Sequence, residues 1–338
     1  MQNQSKNQLK NPSDLNQNSA TELNLSNFFS PSKIAMVATA SVGEKQDVEK
    51  AAALLPNIFN IPLIYGTECY DPEINNNPKL KAERFLAYCL DDSVSHLWSC
   101  RGGEGSGDIL PYLYAALPQL RKIKPKVLIG FSDFTVILVF FAQHLGWPAV
   151  HGMGALQFVR QGPAESTIQK TIDLIKHQTY QNYFNPADLV PLNQTAKQNI
   201  NNINNNLFQA PITGGNLTLL MTSIKDCWEI ETDHRILCLE DWNIKGYQAH
   251  RALKYLDRIG KLKHLRALIL GDFAAGQLSI DPIEQANQER ILKNKLIFFA
   301  EKNMDPLNIP VFQTPRVGHG EYNDPWILGQ QFLLNSAL

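Results

Sequence analysis

From Lys33 onward, short apolar runs alternate with longer stretches in which apolar positions recur at helical spacing. Lys33 to Thr39, Ile61 to Tyr65, His96 to Cys100, Val127 to Gly130 and Pro148 to Val150 read as buried strands. Gln46 to Leu55, Lys81 to Leu90, Ile109 to Leu117 and Val136 to Leu145 read as helices between them, and residues 66–79 as a polar loop. Strands alternating with helices predict an α/β fold with a parallel, doubly wound sheet over residues 30–160. The chain then changes character. A helical piece, Thr167 to His177, runs into Gln- and Asn-rich sequence that includes Asn201-Asn202 and Asn204 to Asn206, as expected of a connection between domains. A second organised region starts near Pro211. There Gly214-Gly215-Asn216 reads as a tight turn before the apolar Leu217 to Met221. Arg235 to Leu239, Leu265 to Gly271 and Pro310 to Gln313 read as strands, Glu284 to Asn303 as a helix, and Gly318-His319-Gly320 as a turn. The expected layout is a disordered polar tail over 1–28, an N-terminal domain over 29–165, a connection over 166–208 and a C-terminal domain over 209–338.

Composition excludes more than it assigns. Of 338 residues, 44% are hydrophobic and 19% charged, the balance of an ordinary globular protein. A formal net charge of -1 gives no electrostatic case for nucleic acid or for an anionic membrane surface. No apolar run approaches the roughly 18 to 20 residues of a membrane-spanning helix. The first 28 residues lack the apolar core of a signal peptide, so the expected location is the cytoplasm. Five scattered cysteines with no Cys-x-x-Cys pair predict reduced thiols rather than disulfides or a zinc site. No His-Glu-x-x-His is present and the histidines do not cluster, so neither a metal nor a cofactor is expected.

Candidate chemistry starts at Gly130-Phe131-Ser132-Asp133, where a strand gives way to a helix. A serine at such a corner presents its hydroxyl forward, beside helix-start N–H groups that can stabilise an oxyanion. The same Ser-Asp is also an ordinary helix cap, and the Gly-x-Ser-x-Gly elbow would need glycine where Phe134 stands. A nucleophilic serine needs a base oriented by a carboxylate. His319, flanked by two glycines, reads either as that base or as a surface turn. Glu240, at the tip of a buried strand, reads either as the orienting acid or as the start of a solvated loop. Arg101-Gly102-Gly103-Glu104-Gly105-Ser106-Gly107 lacks the spacing of a nucleotide fingerprint. It is either a plain turn or a source of backbone N–H groups, Gly103 among them. Arg101 is either a receptor for a substrate carboxylate or a brace for its own loop.

Taken together these residues resemble the LD-carboxypeptidases, the serine peptidases of the muramoyltetrapeptide carboxypeptidase type, which include the microcin C immunity peptidases. The resemblance rests on Arg101-Gly102-Gly103-x-Gly-Ser, Phe131-Ser132-Asp133, His151-Gly152, Gly214-Gly215-Asn216-Leu217, Ile236-Leu237-x-Leu239-Glu240-Asp241 and Gly318-His319-Gly320, in that order. It implies a Rossmann-like N-terminal domain, a smaller C-terminal α/β domain and a site at their junction. It implies Ser132 as nucleophile, Glu240 as acid, His319 as base, and Gly103 with the Asp133 N–H at the oxyanion. It implies a homodimer without metal, a muropeptide tetrapeptide as substrate and release of its terminal D-alanine in peptidoglycan recycling. The alternative substrate is a peptidyl or aminoacyl nucleotide conjugate. The chain departs from the family pattern at Glu104, at Gly152-Met153-Gly154, at His250 and at Pro325-Trp326.

Overall fold

The computed structural model describes residues 23–24, 33–160, 162–177, 179–180, 182–200, 209–273, 279 and 281–334. In the first of its two large sheets, strands Lys33–Val37, Leu63–Ile64, Val94–Ser99, Val127–Gly130 and Ala149–His151 run parallel. Leu63–Ile64 lies at the edge beside Lys33–Val37, and the later strands follow on the other side in chain order. That is a doubly wound arrangement, whose direction reverses between the first and third strands. Helix Lys45–Phe59 packs one face, in an apolar cluster with Trp98 and Phe158. Helices Pro78–Leu90, Leu110–Leu120 and Thr135–Leu145 pack the other, in a cluster with Phe85, Leu113 and Phe140. Covered on both faces, the central strands are buried along their whole length, Val94–Ser99 with its two serines and His96 included.

The second sheet has a parallel centre of Ala210–Asn216, Ile236–Glu240, Ala267–Leu270 and Val311–Gln313. Helix Thr135–Leu145 lies between the two halves. Val136 to Phe141 are all buried, which explains a run that is apolar all round. Its Thr135 Oγ1 accepts the Asn216 N–H at 3.2 Å, and its Gln143 bonds Glu229 O and Glu231 N at 3.0 and 2.9 Å.

Several expectations change. Gly214-Gly215-Asn216 is not a turn; it ends strand Ala210–Asn216. Gly215 has a φ of 133°, and a Cβ there would lie 2.5 Å from Thr135 Cγ2, so the glycine lets the second sheet close on the central helix. Asn216 then caps helix Leu217–Thr222 by accepting the Leu219 N–H. The polar stretch 66–79 contains a short 3₁₀ turn, Thr67–Cys69, and the helix Pro72–Asn75. The expected connection supplies edge strands to the second sheet, Asn182–Phe184 and Val190–Pro191. Trp326–Ile327 crosses back to pair with Ala149–His151 in the first sheet. Within the tail expected to be disordered, Leu23–Asn24 pairs with Thr179–Tyr180. The rest of 1–28 and the Asn-rich 201–206 lie outside the described residues. Among the described residues, no helix is long and apolar enough to cross a membrane.

Candidate active site

Ser132 occupies the corner between strand Val127–Gly130 and helix Thr135–Leu145, on a single 3₁₀ turn, Ser132–Phe134. Its φ is 57°, a left-handed conformation that costs a serine about 1–2 kcal/mol. Neighbouring contacts hold it there. Phe134, where the elbow pattern has glycine, is fully buried in the core. The Asp133 carboxylate accepts the Ser106 N–H at 2.8 Å, which ties the corner to the glycine-rich loop. Burial pushes the Asp133 carboxyl up, while the Ser106 hydrogen bonds and Lys81 pull against that rise. The side chain of Asp133 is thus a structural link, and its backbone N–H is one of the first-turn donors without an intrahelical acceptor.

The loop 101–107 leaves strand Val94–Ser99 beside this corner. A Cβ on Gly102 would lie 3.0 Å from both Cβ and Oγ of Ser132, so the glycine lets this backbone lie close against the hydroxyl. Arg101 donates to Val42 O at 3.2 Å, as a brace, and is exposed at the mouth of the cleft.

Glu240 ends strand Ile236–Glu240 and is fully buried, not the start of a solvated loop. His319 Nδ1 donates to its Oε2 at 2.7 Å. His151 Nε2 is 3.8 Å from its Oε1, too long for a hydrogen bond. Burial pushes the Glu240 carboxyl up, but the charge of His319 and contact with both imidazoles prevail and hold it at about 2. His319 is the mirror case: burial pulls it down, and Glu240, backed by Asp241 and Asp272, raises it above the ordinary histidine value. The glycines around His319 are required by Asp272. A Cβ on Gly318 would lie 2.9 Å from Asp272 Cβ, and one on Gly320 would lie 2.5 Å from its Oδ2. The loop therefore lies flat on the end of the second sheet and carries the imidazole to Glu240.

Ser132 and His319 line one cleft of about 320 Å³, with Arg101, Gly102, Gly103 and Trp242. All six residues singled out in the sequence thus fall in one region. Five come together directly: Ser132, His319, Arg101 and Gly103 in the cleft, and Glu240 behind His319. Asp133 turns its carboxylate away, toward Ser106. Sequence reasoning gave no role to Gly102, Phe131, His151, Trp242 or Asp272. The Phe131 ring lies 4.7 Å from His319, and Trp242, 55% exposed, stacks on His319 at 6.1 Å. His151 stacks on Trp326 at 5.0 Å. Gly102, Phe131 and His151 stand in the motifs that carry the family resemblance, and Trp242 lies two residues from Glu240; nothing local marks Asp272. Among the described residues, no group of three or more His, Cys, Asp or Glu side chains is arranged to hold a metal ion.

A family model for the LD-carboxypeptidase N-terminal domain matches residues 34–152, and one for the LD-carboxypeptidase C-terminal domain matches residues 209–334. The chain is 32% identical over 298 residues to a putative carboxypeptidase of Rickettsia conorii, covering 87% of this chain and 85% of that one. It is 25% identical over 255 residues to the murein tetrapeptide carboxypeptidase of Pseudomonas aeruginosa, covering 71% and 72%. Among solved structures it is similar to an MccF-like protein from Streptococcus pneumoniae in complex with AMP. The TM-score there is 0.70 at 19% identity, with 91% of this chain and 100% of that chain covered.

Proposed function

Since the chain belongs to the LD-carboxypeptidase family, we propose that it is a serine-type enzyme that removes the terminal D-alanine from muropeptide tetrapeptides. One observation carries this reading: His319 is bonded to a fully buried carboxylate at 2.7 Å and shares its cleft with a strained serine. Ser132 Oγ attacks the carbonyl carbon of the last peptide bond while His319 takes its proton. Glu240 holds the ring through Nδ1, which leaves Nε2 as the base, and offsets the positive charge that the ring gains. The oxyanion is held by backbone donors at Gly103 and Asp133. His319 then gives its proton to the departing amine, and the acyl-serine is hydrolysed by a water that His319 deprotonates. Arg101, exposed at the mouth, receives the free carboxylate that an exopeptidase must recognise.

The muropeptide preference draws on the murein tetrapeptide carboxypeptidase relative. The test is D-alanine release from a free tetrapeptide by the wild-type protein, run beside hydrolysis of an aminoacyl sulfamoyl nucleoside. Faster turnover of the tetrapeptide is expected. Faster turnover of the nucleoside conjugate would replace the muropeptide by a nucleotide conjugate as substrate.

A further inference from the structure

A second cavity, of about 620 Å³, lies outside the catalytic cleft, along the later residues of the same glycine-rich loop. Ser41 and Val42, after the first strand, form one wall; Glu104, Gly105 and Asp108, after the third strand, form another. These are the two strands between which the sheet order reverses. The crevice at such a reversal, outside the carboxyl ends of the strands, is where open α/β sheets hold ligands. No step of the proposed reaction uses it.

Lys81, on helix Pro78–Leu90, lines this cavity and is only 4% exposed. Its ammonium lies against the loop: a Cβ on Gly105 would be 2.6 Å from Nζ. Among the described residues, no hydrogen bond or ion pair reaches Nζ. Glu104, Asp108 and Asp133 act on it by charge from a distance, and burial pulls its pKa down against them. The lysine stem is buried while its ammonium faces the cavity with no direct partner, so the site gains from a ligand that brings an anionic group to it. The rim has the opposite sign, since Glu104 and Asp108 are exposed. That rim repels a polyanion such as a nucleotide, and Lys81 repels a simple cation. A ligand carrying one group of each sign satisfies both.

We propose that this pocket binds an α-amino-acid group, with the carboxylate on Lys81 and the ammonium on Glu104 and Asp108. Two sources share that chemistry: a free amino acid, and a peptide side chain that itself ends in an amino-acid group. Only the second source rests on the muropeptide reading above.

The first arm of the test titrates free D-alanine and free meso-diaminopimelic acid into the wild-type protein, followed by calorimetry. Saturable binding is expected, weaker by about tenfold or more in Lys81→Met and in the exposed double variant Glu104→Gln/Asp108→Asn. N-acetylated and carboxyl-amidated forms of the same molecules are expected to bind at least as poorly. Circular dichroism establishes folding, and the surface double variant keeps the test valid where Lys81→Met fails to fold. Absence of saturable binding by both probes, or equal binding of the one-charge forms, overturns the proposal. The second arm compares kcat/KM for tetrapeptides whose third side chain ends in an amino-acid group or in an amine alone. A preference for the former that the double variant abolishes assigns the pocket to the peptide. An unchanged ratio, with binding intact in the first arm, assigns it to free amino acids. Were no tetrapeptide hydrolysed at all, the proposed function would fail while the binding arm still decided this site.

Discussion

Glu240 and His319 set each other's charge, and that coupling has a consequence in pH. His319 has a raised pKa chiefly because Glu240 overcomes the penalty of burial. As a base it must be neutral, so the acid limb of kcat/KM is expected above the usual histidine value of about 6.5. Replacing Glu240 with Gln removes the charge that favours imidazolium. The limb then moves to lower pH, and kcat/KM falls by on the order of 10⁴-fold. A pH–rate profile of both proteins checks this; a limb that stays in place would separate His319 from the rate. As candidates, Ser132 and Glu240 were legible because each sits at the end of an apolar run, and His319 because two glycines flank it in a loop after a strand. Gly102 and Trp242 were not, because their roles depend on what faces them across the cleft. Lys81 read as one more polar position on a helix, and only the fold buries it.

The element that delivers His319 to Glu240 is the loop carrying Gly318-His319-Gly320. It is tied down beyond the histidine by Asp324, which is 2% exposed and pairs with Lys170 at 2.6 Å and with Arg316 Nε at 2.8 Å. Asp324 also accepts from the Thr167 hydroxyl at 2.6 Å. Removing it leaves two cations facing each other, so Asp324→Ala is expected to cost about 3–5 kcal/mol in urea unfolding. A loss below about 1 kcal/mol would mean the loop is held by other contacts. At the seam, Gly215→Ala combines a φ of 133° with a clash on Thr135. It is expected to lower stability by about 1–3 kcal/mol, read as a reduced melting temperature. Gly214-Gly215 looks like a turn in sequence because glycine pairs usually make turns. Here the same freedom serves a close approach between strand and helix, which depends on a partner 80 residues away in the chain (Thr135 to Gly215).

Across the whole molecule, one apolar cluster runs from Ala35 and Leu128 in the first sheet, through Val136 to Phe141, to Leu237, Leu268 and Phe312 in the second. The halves therefore share a core, and a single cooperative thermal transition is expected, with calorimetric and van't Hoff enthalpies equal. Two resolved transitions would contradict a shared core. The parallel strands of the first sheet were legible because most are apolar runs followed by a helical period. The short edge strands were not: Val190–Pro191 and Trp326–Ile327 are two residues each and gain their identity from the strand beside them. What this architecture brings to one cleft is a hydroxyl from the first half and an imidazole held by a buried carboxylate from the second. The most direct measurement of that claim is D-alanine release from a tetrapeptide by folded Ser132→Ala beside the wild type. The rate is expected to fall by on the order of 10⁴- to 10⁶-fold. Release within about tenfold of the wild-type rate would contradict Ser132 as the nucleophile.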